Sequence, residues 1–303
     1  MKNRNIIKYF KTMVFAFICL FAVGVMNVNA ETTTTDVVDQ DSLVKAMDDR
    51  TTNIVRLTQD IELSSDTLFY IRKSKTLDLC GHTITVPKAK SIKFWYYEDA
   101  DIKIINSSNS SSAKFVINAS ESNSQDLLYG SSQKGETIAR VNFEIDGVDF
   151  ERKNNYGSLV YSEFKYESLT IKNSNITGFF QISDLAGSDI ADKIYFESIS
   201  FNSLKDMTNS ETYLLKTDKK TVGDVIDANA VIEYYSGNGV KATADRTAKL
   251  NTIDAYWGPI TVKFANGFNV SNATLNGKYG ETPETNITIK NIGENDLQIK
   301  NVT

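Results

Sequence analysis

The stretch Thr76-Leu77-Asp78-Leu79-Cys80-Gly81-His82-Thr83-Ile84-Thr85 decides the fold, because the chain repeats its pattern four more times. Two apolar residues alternate, a glycine follows, and another apolar residue comes seven places after the first. The first apolar positions of the five copies, spaced by 25, 41, 26 and 25 residues, are Leu77, Ile102, Phe143, Leu169 and Ile194. The positions seven residues further on are Ile84, Asn109, Phe150, Ile176 and Phe201, of which only Asn109 is polar.

Alternating apolar residues indicate a strand with one buried face. A bend is predicted at the fifth position of each copy, because Gly and Asn tolerate a left-handed backbone and Ser suits turns. These positions are Gly81, Asn106, Gly147, Asn173 and Ser198. Strand, bend and strand in about 25 residues is typical of one coil of a β-solenoid, so like residues of stacked coils form ladders. The competing interpretation is an up-and-down antiparallel sheet. Such a sheet does not require the same class of residue at the same position of every repeat.

The stretch 76–85, together with Ile54-Val55-Arg56-Leu57-Thr58-Gln59-Asp60-Ile61-Glu62-Leu63, resembles the opening coils of pectin-lyase-like right-handed parallel β-helix proteins. The resemblance covers about Asp41 to Leu204. It implies an all-β chain built as a right-handed parallel β-helix. It leaves the activity open, because that fold hosts lyases, hydrolases, adhesins and inert stalks.

The predicted boundaries begin with a secretory signal peptide at 1–30, with basic residues, an apolar run over Met13–Met26 and the small-residue cleavage site Val28-Asn29-Ala30. That run is short for a membrane anchor, so no transmembrane anchor is predicted. The β-helix spans 31–220. It starts with a flexible segment, Glu31–Asp39, and a capping helix at 41–50 with Asp41 or Ser42 as its N-cap.

A different pattern follows the repeats. Residues 221–258 predict a C-terminal cap, with a helical turn over 222–227 and a hairpin whose strands are Ala230–Tyr235 and a return from Val240. The alternating residues from 259 to 303 resemble the start of an immunoglobulin-like module. A β-sandwich-like segment is therefore expected to end the chain.

Composition excludes some function classes. The formal net charge is −5, and it becomes −9 once the signal peptide with its four basic residues is removed, so no nucleic-acid partner is expected. Cys80 is then the single cysteine, which excludes an intramolecular disulfide. His82 is the single histidine and follows the glycine bend. No second His or Cys lies beside Cys80 in the sequence, so no metal site is predicted.

Catalysis would need a recognisable set of residues. A hydrolase of this fold needs paired carboxylates, and a lyase needs a calcium site with an Arg or Lys base. Asp99 with Asp101 and Asp146 with Asp149 are the spaced acid pairs, and solvated turn or strand-face acids explain them more simply. The sequence therefore predicts no catalytic residue and no cofactor, and nothing beyond the resemblance supports calcium.

The densest aromatic run is Phe94-Trp95-Tyr96-Tyr97-Glu98-Asp99. Phe69, Phe94 and Tyr161 each stand eight residues before the first apolar position of a copy, and their shared aromatic character predicts a row of inward side chains. The residues that follow them, Tyr70, Trp95 and Ser162, are then expected to face outward. Rings beside acids bind sugars or proteins. The candidate ligand site is Tyr70, Trp95, Tyr97, Glu98 and Asp99. In the alternative interpretation, the insertion 106–136 covers them.

These observations predict a secreted or cell-surface bacterial protein, adhesin-like or carbohydrate-binding and without catalysis. Its expected partner is a polysaccharide or another host or microbial surface ligand. Two alternatives stay open. One is a polysaccharide lyase or glycoside hydrolase with unfamiliar residues, and the other is a passive surface spacer.

Overall fold

The structure is a computed structural model of the chain. It describes residues 32–263, 268–270 and 289–291, apart from 88–89, 109–110, 118–125, 133–136, 153–156, 180, 185–189, 203–213, 216, 218, 229, 237–239 and 254–258. The predicted signal peptide lies outside the described residues.

Strands dominate the described chain and form four sheets. The seven-stranded sheet contains, in spatial order, β1 (Thr34–Val37), β2 (Ile54–Leu57), β5 (Lys75–Asp78), β8 (Ala100–Ile105), β11 (Val141–Asp146), β14 (Tyr166–Lys172) and β17 (Ala191–Glu197). The five-stranded sheet contains β4 (Thr67–Ile71), β7 (Ile92–Tyr96), β10 (Leu128–Ser132), β13 (Ser158–Ser162) and β16 (Gln181–Asp184). The nine-stranded sheet contains β3 (Ile61–Glu62), β6 (Thr83–Val86), β9 (Ala113–Ile117), β12 (Val148–Arg152), β15 (Asn175–Thr177), β18 (Ile199–Asn202), β21 (Pro259–Lys263), β19 (Val231–Tyr235) and β20 (Lys241–Thr243).

The remaining elements are few. A two-stranded sheet joins β22 (Phe268–Val270) to β23 (Ile289–Asn291). Helix α1 spans Gln40–Asp48, helix α2 spans Val222–Val225, and a 3₁₀ turn spans Leu250–Thr252. The described chain is therefore all-β in class, with helices only beside the two ends of its repeats.

Parallel pairing between successive repeats builds the three large sheets. Each strand from β2 to β15 pairs in parallel with the strand three places later in the chain. Phe143 lies opposite both Ile102 and Leu169, and Leu169 lies opposite Ile194. All four side chains are buried. The predicted apolar ladder is confirmed over these copies, because inward rows from successive repeats share one core.

The predicted register is wrong at the first copy. Leu77 lies opposite Ile104 rather than Ile102, and Ile84 lies opposite Phe115 rather than Asn109. The polar segment 106–112 lengthens the turn between β8 and β9, so the buried partner comes six residues later. Phe115 and Phe150 stack with ring centroids 5.4 Å apart. Asn109 itself lies outside the described residues.

The predicted bends adopt left-handed backbone at four of five positions. Positive φ occurs at Gly81 (83°), Gly147 (71°), Asn173 (50°) and Ser198 (47°), and at the unpredicted Cys80 (46°). Asn106 acts through its side chain instead. Its Oδ1 accepts from Gly81 N (2.9 Å), and its Nδ2 donates to Ser111 O (3.0 Å).

Helix α1 covers the start of the repeats, where it contacts β1, β2 and β4 through Leu43, Ala46 and Met47. Its N-cap is Asp39, whose carboxylate accepts from Ser42 N (2.8 Å), so the expected cap at Asp41 or Ser42 is wrong. The expected flexibility of Glu31–Asp39 is also wrong from Thr34 onward. Thr34–Val37 pairs with β2 because Val37 joins the core.

At the other end, the segment predicted as a cap holds a short helix and a pair of strands. Helix α2 is followed by the antiparallel hairpin β19–β20. The predicted boundary at 258/259 differs from the structure, because β21 pairs antiparallel with β18 and β19 and so belongs to the nine-stranded sheet. Ile260 and Val262 are buried there. The immunoglobulin-like module stays a prediction, since most of 264–303 lies outside the described residues.

A charged group on the outer face of the seven-stranded sheet predicts acid sensitivity. Glu144 lies 3.0 Å from Lys103 Nζ and 2.9 Å from Lys172 Nζ. Burial raises the pKa of Glu144, but hydrogen bonds from the two lysines outweigh it and hold the pKa below its usual value. A carboxylate with a lowered folded-state pKa stabilises the fold above its unfolded pKa, and the gain disappears as pH falls through the folded value.

We therefore expect Glu144→Gln to lower the free energy of unfolding by about 1 kcal/mol at pH 7, because two partly buried pairs are lost. Urea unfolding at pH 7 and at about pH 3.5 measures the effect. The difference from wild type should shrink at the lower pH, because the stabilisation is lost as pH falls through the lowered pKa of Glu144. Glu151→Gln, which removes an exposed pair with Lys114, is the control and should change little. An equal loss at both pH values would contradict the electrostatic explanation.

Candidate ligand-binding face

The outer face of the five-stranded sheet carries rings from successive strands. Tyr70 on β4 lies opposite Trp95 on β7, and Tyr129 on β10 lies opposite Tyr161 on β13. Each alternates with buried neighbours, so each faces outward and is partly exposed. We name Tyr70, Trp95, Tyr97, Tyr129 and Tyr161 the aromatic face.

An arginine covers two of these rings. Tyr97 N donates to Ile71 O (2.9 Å), which places Tyr97 beside Arg72. The Tyr70 and Tyr97 ring centroids are 6.0 Å apart, and Arg72 Cζ lies 5.6 and 5.0 Å from them. Cation–π attraction therefore holds both rings in place.

The Tyr129 ring is engaged on two sides. The Tyr161 ring stacks on it at 5.2 Å, and Lys93 Nζ lies 5.6 Å from its centroid. The Tyr129 hydroxyl donates to Glu163, whose other oxygen accepts from Ser131 Oγ (2.8 Å). Burial and the Glu163 carboxylate raise the pKa of the Tyr129 hydroxyl well above its usual value, so it stays a donor at neutral pH. This part of the aromatic face presents ring edges and hydroxyl groups to solvent.

Trp95 differs from its neighbours. Its ring is half-buried and has no aromatic or cation–π contact with the described residues. Its indole Nε1 is buried and has no hydrogen-bond partner among the residues that the structure describes. A partly exposed indole that makes no such contact is a candidate for stacking on a ligand.

The structure separates the predicted site residues into three groups. Tyr70, Trp95 and Tyr97 share the aromatic face, as the alternation predicts. Glu98 is exposed and lies 3.9 Å from Arg50. Asp99 accepts a hydrogen bond from Arg140 N (2.8 Å) and lines a polar cavity instead.

The expected inward row is wrong in its third member. Phe69 and Phe94 are buried, but Ser162 rather than Tyr161 continues their row, through Gly130. Ser162 is therefore buried and Tyr161 faces outward, the reverse of the prediction. Lys93, Tyr129 and Glu163 were missed because their contacts join residues of different strands.

The expected cover over the rings is also wrong where the structure describes the insertion. Leu128–Ser132 forms β10, which pairs edge to edge with β7 and extends the five-stranded sheet. This segment enlarges the aromatic face by adding Tyr129. Residues 118–125 and 133–136 lie outside the described residues.

The candidate catalytic groups stand apart from this face. His82 Nδ1 lies 3.4 Å from Asp60 Oδ1, and Cys80 lies in the bend before it. Within the described ranges, no group of three or more His, Cys, Asp or Glu side chains is placed to hold a metal ion. Helices α1 and α2, with nine and four residues, are shorter than a membrane span requires.

Sheets of mostly parallel strands, built from repeats, make the described chain an all-β protein. Residues 34–209, more than half of the chain, match the family described as "Putative pectate lyase-like adhesive domain", and the chain belongs to that family. Searches of curated proteins and of solved structures find no match.

Proposed function

We propose that the chain is a secreted or cell-surface adhesive protein, folded as a right-handed parallel β-helix, whose aromatic face binds polysaccharide. The observation that carries the proposal is that the outer face of the five-stranded sheet holds two pairs of rings. Tyr70 lies opposite Trp95 and Tyr129 lies opposite Tyr161, and the two pairs are offset along the strands because Trp95 lies opposite Ser131. A pyranose ring has a C–H face that packs on an aromatic side chain and hydroxyl groups that pair with polar neighbours. Membership of an adhesive-domain family and the signal-peptide pattern support the same conclusion.

The proposal gives the rings different tasks. Trp95 stacks on a sugar, and its partial exposure without an aromatic or cation–π contact among the described residues supports this role. The hydroxyl-bearing edges of Tyr129 and Tyr161, with Lys93 and Glu163, supply polar contacts beside it. Strands about 4.8 Å apart place these contacts on one continuous surface, which suits an extended polymer.

We expect Trp95→Ala to weaken polysaccharide binding roughly 30-fold, the effect of losing about 2 kcal/mol at a hot-spot aromatic residue. The mature protein, residues 31–303, is applied to immobilised plant, host and microbial polysaccharides. Retention and polymer chain length are recorded with and without calcium. Tyr195→Ala is the matched control, because Tyr195 lies on the outer face of the seven-stranded sheet.

Three outcomes separate the alternatives. Retention that Trp95→Ala abolishes and Tyr195→Ala preserves supports the proposal. Shortening of any polymer would overturn the non-catalytic part of it. Retention unchanged in Trp95→Ala, or absent for every polysaccharide, would overturn the binding face.

A further inference from the structure

A polar cavity of about 240 Å³ lies beside the aromatic face, where the chain passes from β7 to β8. Its polar lining comes from β8, β11 and β14 of the seven-stranded sheet and from the residues just before β5, β8 and β11. The side chains are Ser74, Asp99, Asp101, Arg140, Asn142 and Glu167. The volume is below the roughly 300–1,000 Å³ of drug-sized pockets, so it suits one sugar substituent or ring rather than a whole oligosaccharide.

Hydrogen bonds between neighbouring strands fix most of this lining. Asp101 N donates to Ser74 Oγ (2.9 Å), and Asn142 Nδ2 donates to Asp101 Oδ1 (2.8 Å). Arg140 is committed to Asp99, through its backbone N–H and through a guanidinium contact of 3.5 Å. The cavity wall is therefore preorganised before any ligand arrives.

Glu167 is the exception. It is half-buried in the cavity wall, and it has no hydrogen bond or ion pair with any residue that the structure describes. Three carboxylates and one guanidinium give the lining a formal charge of −2, and the guanidinium faces Asp99. Asp101 and Glu167 consequently offer acceptors without a cation, which favours a positively charged donor and disfavours an anionic one.

We propose that this cavity binds the protonated amino group of an amino sugar within the polysaccharide that the aromatic face holds. The ammonium group donates to Glu167 and Asp101, and the sugar hydroxyl groups pair with Asn142 and Ser74. Trp95 and Asp99 are four residues apart, so at most about 14 Å of chain separates the two sites, and a short oligosaccharide reaches both. This inference rests on the proposed function and adds its substrate class: a polymer that contains free amino sugars, rather than a polyuronate.

The test compares two oligosaccharides that differ in one charge per ring. The trimers of glucosamine and of N-acetylglucosamine are titrated into the mature protein by calorimetry at about 50 mM and 500 mM salt. We expect the glucosamine trimer to bind about tenfold more tightly at low salt, with the advantage reduced at high salt, where screening is stronger. Glu167→Gln should remove the advantage while keeping the size of the side chain.

Glu62→Gln is the matched control, because it removes the same charge from an exposed position on β3 and should keep the advantage. Equal binding of both trimers, no binding of either, or an advantage that survives in Glu167→Gln would overturn the inference. Competition by trilysine as strong as by the glucosamine trimer would overturn the assignment to a sugar. Each of these results leaves the effect of Trp95→Ala on polysaccharide retention unaffected, so the proposed function is judged separately.

Discussion

Replacing Gly178 by alanine is expected to lower the free energy of unfolding by about 4 kcal/mol or more, because two backbone penalties combine. Gly178 has φ +85°, a conformation that an L side chain rarely adopts. A Cβ there would lie 2.0 Å from the carbonyl oxygen of Arg152 and 2.7 Å from its carbonyl carbon. Backbone atoms at the end of β12 cannot move aside as a flexible side chain can, so the neighbouring strands must separate.

Thermal unfolding of residues 31–303 measures this effect, and the midpoint should fall by about 8–16 °C for a domain of this size. Gly147→Ala is the matched control. It also has positive φ (71°), but the nearest atom to its Cβ is 3.6 Å away, so only the conformational cost of about 1 kcal/mol remains. Equal midpoints for the two variants would contradict the close approach of β12 to the bend after β15.

Lys75→Met is expected to lower the free energy of unfolding by about 3 kcal/mol, because three carbonyl groups lose a charged donor. Lys75 is buried in the row that contains Ile102, and its Nζ donates to Ala46 O (3.2 Å), Thr52 O (2.6 Å) and Asp49 O. Burial lowers the pKa of Lys75 to about 8, so the ammonium group remains charged at pH 7 with one N–H for each carbonyl. This lysine ties the C-terminal end of α1 to the first repeat.

Urea unfolding at pH 7 checks this prediction, with Lys73→Met as the control for losing a less buried lysine nearby. Hydrogen exchange of α1 adds a local measurement, because the amides of Leu43 to Asp48 should lose protection first in Lys75→Met. A variant as stable as wild type would mean that water satisfies the three carbonyl groups and that α1 does not depend on Lys75.

The repeat could be predicted because burial dictates residue class. A polar side chain at an inward position is costly unless it finds partners, as Lys75 does. The apolar residues Ile102, Phe143, Leu169 and Ile194 therefore show the repeat directly. Bends that need positive φ restrict Gly147 and Asn173 in the same way. Strand spacing and buried face are therefore readable along most of the repeats.

The register between strands was harder to predict, because turns of unequal length change the number of residues between paired positions of successive repeats. The polar turn after β8 moves the buried partner of Ile84 to Phe115, and the same kind of shift exchanges Tyr161 and Ser162. Thr34–Val37 has only one fully buried side chain, too little to distinguish an edge strand from a flexible arm. Its pairing depends on β2, which lies 20 residues away.

In the candidate site, too, features within one strand could be predicted and contacts between strands could not. Tyr70 and Trp95 were predictable because alternation within a single strand suffices. The arrangement of Arg72 over two rings, and of Lys93 and Glu163 around Tyr129, depends on contacts between strands. The cavity around Glu167 draws on residues from Ser74 to Glu167 and has no local sequence pattern.

The central claim is that a sugar stacks on Trp95, and tryptophan emission tests it most directly. The chain has two tryptophans, Trp95 and Trp257, so Trp257→Phe leaves Trp95 as the single reporter. Fragments of a polysaccharide that the wild-type protein retains are titrated into this variant. We expect the Trp95 emission to change with ligand concentration until it saturates. The ligand concentration at half of this change should equal the concentration at half-maximal retention, measured independently. Binding at full strength with unchanged Trp95 emission would place the ligand elsewhere and contradict the account.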